Sequence, residues 1–132
     1  MREILFRGKR TDCGEWLEGN LVQPFRGNQL SSCGIMPKDP KAYCRRVIPE
    51  TVGQFTGLTD KNGVKIFEGD IIQSLESSVT GLVQWFPEHS AFMVWCKSAN
   101  EVGFLYECAY IIKVIGNIHD NPELLKVGDN NE

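Results

Sequence analysis

Glu68-Gly69-Asp70 sets two carboxylates two residues apart, on one side of any extended backbone, a spacing that can hold a divalent cation or polarise a water. The same Gly-Asp pair leads directly into Ile71-Ile72, as it does where a small SH3-like barrel turns a corner and the Asp side chain satisfies turn amides. That structural role is the expectation. Asp60, Asn62 and Gly63 resemble part of a calcium loop, but the Gly follows Asn62 immediately and no bidentate Glu stands at the twelfth position. Cys13, Cys33 and Cys44 would have to meet in space to bind zinc, with only His89 and His119 to complete the set. A cysteine nucleophile needs an imidazole and an orienting group, and His119 beside Asp120 points to the opposite face of a strand from its neighbour. Neither a metal, a cofactor nor an enzymatic activity is expected.

The elements that would carry these residues read as short strands. Glu3 to Arg7 and Trp16 to Gln23 flank a polar stretch containing Asp12 and Gly14, the pattern of an N-terminal hairpin over residues 1–24. Gly27-Asn28, Ser31-Ser32, Gly34, Pro37 and Asp39-Pro40 break any period, so residues 25–46 read as a long variable loop. Phe55 to Leu58 and Val64 to Phe67 flank Asn62-Gly63, where positive φ values allow a tight hairpin. Ile71 to Leu75, Val79 to Phe86, Ala91 to Lys97 and Ile111 to Ile118 follow as strands, and Phe104 to Ala109 as one helical turn. Asn121 caps a turn that begins at Pro122. Residues 47–125 are expected to form the barrel core and 126–132 a polar tail. The whole is a single mostly-β domain, a small partly open β-barrel with SH3-like corners, an N-terminal hairpin, a long loop and a short C-terminal helical turn.

Composition narrows the function classes. The longest unbroken apolar run, Ala91 to Cys96, is far below the roughly 20 residues a membrane helix needs, and Ile4-Leu5-Phe6 is too short for a signal peptide core. Five cysteines without a Cys-x-x-Cys pair fit reduced thiols, hence a cytoplasmic location and no membrane partner. Cys96 and Cys108 are expected as small buried hydrophobes and the three tryptophans as core residues. Net charge is −3, against a dedicated nucleic-acid binder. Residues 1–46 nevertheless carry nine Lys or Arg against five Asp or Glu, a balance of +4, and residues 47–132 five against twelve, a balance of −7.

That asymmetry offers complementary surfaces to a second copy, so a homo-oligomer is expected, as is binding to another protein. Phe25, Leu30, Ile35 and Met36, set among Gly, Ser and Pro, with Arg45 and Arg46, are the candidate partner-binding residues. The alternative is a nucleic-acid-binding barrel using Arg2, Arg7, Lys9, Arg10 and Arg45-Arg46, although basic residues do not interleave with the aromatics in sequence.

The run PETVGQFTGLTDKNGVKIFEGDII from Pro49 to Ile72 resembles the signature of the YopX family. REILFRG at the start, Gly81 to Trp85, and VIGNIHDNPELL from Val114 to Leu125 agree in the same order. Within these stretches Gly53, Gly57, Asn62, Gly63, Glu68, Gly69, Asp70, Gly116, Asn121 and Pro122 are the candidate structural positions. The resemblance implies a phage or prophage protein, a bacterial cytoplasm and a β-rich fold, and supplies no catalytic residue; a host or phage protein is the expected partner of such a module.

Overall fold

The computed structural model describes residues 2–23 and 32–125. They fall into two compact units that divide at Phe55 and Thr56. The architecture is mostly β, in two antiparallel sheets with one short helix and no closed barrel.

The first unit is built from β1 (Phe6–Lys9), β2 (Trp16–Val22), β3 (Cys33–Pro37), β4 (Arg45–Val47) and the start of β5 (Gly53–Thr59), in the order β4-β3-β2-β1-β5. The expected hairpin is present, with Phe6 opposite Gly19 and Lys9 opposite Trp16. Period-two alternation then divides the sheet. Phe6, Leu17, Leu21, Cys33, Ile35 and Val47 pack together on one face, while Arg7, Lys9, Trp16, Glu18, Asn20, Met36 and Arg46 share the other by register. Gly19 is required here, because a Cβ at this position would run into the Met36 carbonyl. After β4 the chain returns to β1 through one bridge, Arg10 to Val47, with Ile48 N–H donating to the Lys9 carbonyl at 2.8 Å.

The expected loop over 25–46 is therefore corrected at 33–37 and 45–46, which belong to two strands. Gly34 and Pro37 conceal β3 from propensity, but its partner β2 supplies the hydrogen bonds that hold it.

In the second unit β5 continues to Thr59 and is neighboured by β6 (Lys65–Phe67). A five-stranded sheet follows, in the order β10-β9-β8-β7-β11: β7 (Asp70–Ser74), β8 (Thr80–Phe86), β9 (Ala91–Cys96), β10 (Glu101–Phe104) and β11 (Ile112–Asn117). The helix α1 (Leu105–Cys108) and a 3-10 turn over Ala109–Ile111 connect the last two. Ile66, Ile72, Val83, Val94, Leu105, Ala109 and Ile112 form the core on one side of this sheet. On the other, Leu124 and Leu125 from the 3-10 turn Pro122–Leu125 cover Ile71 and Leu82. Burying side chains such as Ile66, Ile71 and Ile112 stabilises the unit by roughly 1.5–3 kcal/mol each.

Three expectations about side chains are corrected. None of the tryptophans is fully buried: Trp16 and Trp95 are half-buried and Trp85 is exposed, because each stands near a sheet edge or end. In the 60–64 turn only Gly63 has positive φ (81°), since the Asp60 side chain closes the turn instead of a second left-handed residue. Asn121 does not cap the final turn with its side chain, which accepts from Asn117 N–H at 3.2 Å.

Candidate functional site

Of the expected partner-binding residues, Phe25 and Leu30 lie outside the described residues. Ile35 is fully buried, so its side chain is a core residue of the first unit and not available to a partner. Met36 is 40% exposed on β3, and Arg45 and Arg46 are exposed on β4. Arg45 stands over the exposed Tyr43 ring at 5.6 Å.

The structure also pairs basic and aromatic residues that are separate in sequence. Because Lys9 is opposite Trp16 across the hairpin, both Arg7 and Lys9 reach the indole, at 4.8 and 5.8 Å from the ring centroid. Cations and rings that do not interleave in sequence thus meet in space, and Met36 and Arg46 stand on the same face. Each exposed cation–π contact contributes about 0.5–1 kcal/mol. Arg10 is bound to Asp12 at 2.7 Å, and this half-buried guanidinium holds the Asp12 carboxyl below the usual carboxylate range.

In the second unit the positions of the long signature stretch hold the turns. Asp70 is 2% exposed and its Oδ2 accepts from Phe67 N–H at 2.8 Å. Glu68 is half-buried, and Gly57 and Gly69 have φ of 88° and 93°. Gly53 is buried in β5, in register with Arg7. Gly116 gives way to Asn121, whose Oδ1 would lie 2.6 Å from a Cβ there. Asp60 is the hub: Oδ1 accepts from Asn62 N–H at 2.8 Å and Val64 N–H at 2.9 Å, and Oδ2 from Val114 N–H at 2.9 Å. His119 and Asp120 are exposed in a turn beyond β11 rather than on strand faces.

The thiols separate by environment. Cys33 packs beside Ile35 and Val47, Cys13 is exposed, and Cys44 is half-buried. Among the described residues no group of three His, Cys, Asp or Glu could hold a metal ion. Cys96 and Cys108 both line a cavity of about 580 Å³, with a floor of buried Ile72, Val94 and Ile112. Burial pushes both thiols up, Glu101 raising Cys96 further and Cys96 and Glu107 raising Cys108. A second feature is a row of rings: Phe86 stacks on His89 at 6.4 Å, His89 meets Phe104 at 5.7 Å, and Phe104 meets Tyr106 at 5.5 Å. Phe104 closes the sheet-edge strand β10, and Tyr106 is 65% exposed. The cavity draws on four separate segments, and the row joins rings from the β8–β9 turn to α1. Only the +2 register of the hairpin strands, which sets Arg7 and Lys9 on Trp16, offered a signal readable in advance.

These features define a two-unit antiparallel β protein. The sequence profile described as YopX protein matches residues 5–126, and the chain belongs to the YopX family. It is similar to the crystal structure of protein EF1440 from Enterococcus faecalis, 27% identical over 95% of this chain and 99% of that one, with a TM-score of 0.57. No curated protein matches the chain. No helix among the described residues is long and apolar enough to cross a membrane.

Proposed function

We propose that the chain is a non-catalytic protein-interaction module of phage or prophage origin, acting in the bacterial cytoplasm and self-associating before or while it engages a host or phage protein. The observation that carries this reading is the ring row of Phe86, His89, Phe104 and Tyr106 at the edge of the second sheet. Contiguous aromatic surface of this kind suits a protein contact. The row belongs to the acidic unit, in which residues 56–132 carry five Lys or Arg against eleven Asp or Glu, while residues 1–55 carry nine against six. A basic unit from a second copy is therefore a matched partner. The raised Cys96 and Cys108 thiols support a non-catalytic role, since the nucleophilic thiolate is scarce at neutral pH.

Light scattering at low and high salt tests this. An oligomer weakened by salt and by Tyr106→Ala is expected, and a monomeric mass in both salts at micromolar concentration rejects self-association. The cation–indole face of Arg7, Lys9 and Trp16 favours a second reading, single-stranded nucleic-acid binding by stacking and phosphate contact. Filter binding decides for it if affinity is salt-sensitive and lost in Lys9→Ala and Trp16→Ala.

A further inference from the structure

The pocket beside Cys96 and Cys108 is open on the side of the exposed strand segment Glu101, Val102 and Gly103 and closed by buried Ile72, Val94 and Ile112. Gly103 faces Val94 across the β9–β10 ladder, so any side chain at 103 would enter the cavity face. A Cβ built at Gly103 meets nothing within 4 Å. The opposite situation holds at Gly81, where a Cβ would strike the Val94 side chain. One glycine is thus demanded by packing and the other keeps space open. At about 580 Å³ the space lies within the range of small-molecule sites, roughly 300–1,000 Å³.

Its chemistry is one-sided. The buried lining is aliphatic, Cys96, Cys108 and Ser74 are half-buried, and Ser77 is exposed. Glu101, opposite Cys96 in the ladder, is the one charged residue among the described lining residues. Among the described residues no Lys or Arg lines the space. A ligand here gains by placing a compact apolar body on the floor and a single positive charge at the rim.

We propose that this cavity binds a small apolar monocation, an alkyl- or cycloalkylammonium, with the hydrocarbon on Ile72, Val94 and Ile112 and the ammonium at Glu101. The thiols line the site without reacting, and their environment is consistent with it: Glu101 and Glu107 both act on them in the direction a negative potential produces. The site is independent of the self-association proposed above.

Three probes with one hydrocarbon body test it on the full chain: cyclohexylmethylammonium, cyclohexylmethanol and cyclohexanecarboxylate. Amide shifts of Val102 and Gly103 and alkylation rates of Cys96 and Cys108 are followed during titration. The ammonium is expected to give saturable shifts and slow both alkylations, the alcohol to bind more weakly by about threefold or more, and the carboxylate to bind weakest. Glu101→Gln should make ammonium and alcohol equal. Gly103→Leu, which fills open space and leaves the remaining amide spectrum in place, should abolish binding of all three. Equal binding of the three probes by the natural chain, absence of a saturable ammonium shift, or unchanged binding in Gly103→Leu overturns the proposal. So does a fall in oligomer mass in Gly103→Leu without any probe binding, which would assign the cavity to a basic side chain of a second copy.

Discussion

The two units hold their turns by different means. In the first, an apolar strip of Phe6, Leu17, Leu21, Cys33, Ile35 and Val47 fixes the strands, helped by the buried Thr51 hydroxyl, which accepts from Lys9 N–H at 2.9 Å and donates to the Ile48 carbonyl at 2.6 Å. In the second, buried carboxylates hold the backbone: Asp60 accepts from three amides, and Asp70 accepts from Phe67 N–H. A strip of hydrophobes tolerates the loss of a methyl group by partial collapse, whereas a carboxylate that serves three amides leaves all three unsatisfied when it is removed. The difference teaches where each unit is brittle.

The largest effect should therefore come from Asp60→Ala, with a loss of about 3–5 kcal/mol. Native-state hydrogen exchange is expected to place the lost protection in residues 56–125; protection lost equally in residues 2–23 would show that the units unfold as one. Ile35→Ala should cost about 2–4 kcal/mol and loosen the first unit preferentially, measured by the same exchange experiment. Retention of its protection while the second unit opened would invert the comparison. Trp16→Ala removes two cation–π contacts and the packing of a half-buried ring, and chemical denaturation should register about 1–2 kcal/mol.

The smallest effect is alkaline. Cys33, Cys44, Cys96 and Cys108 are all raised, chiefly by burial. The folded chain thus favours neutral thiols that the unfolded chain ionises near the ordinary value, about 8.5. Stability from this source is complete below that pH and declines as pH rises through the higher folded values. Denaturation midpoints should fall slightly above about pH 9 in the natural chain and less in Cys108→Ala. An unchanged midpoint in the natural chain would count against burial as the dominant influence.

What was legible in the sequence follows the reach of each interaction. The Asn62-Gly63 hairpin, the strands from Ile71 to Cys96 and the turn at Pro122 announce themselves through neighbours within a few residues. β3 does not, because Gly34 and Pro37 lower its strand propensity and its hydrogen bonds are supplied by β2. Arg7, Lys9 and Trp16 meet only after the hairpin register is set. The cavity is harder still to read, since it depends on an absent side chain at Gly103 and on walls from β7, β9, β10 and the turns about α1. Asp60 resembles a calcium ligand in sequence, but its partners are amides, two local and one on β11.

That last carboxylate also sets an order of events in folding. Its bonds to Asn62 and Val64 span two and four residues, while the bond to Val114 spans 54. Closing the short turn costs little chain entropy, and the long closure costs more and waits for β11 to arrive. Asp60 thus acts first as a local nucleus and afterwards as a clasp on the distant strand. Folding kinetics should separate the two roles: Gly63→Ala is expected to slow folding, whereas Val114→Ala should mainly speed unfolding. The reverse pattern would place the β11 closure before the hairpin.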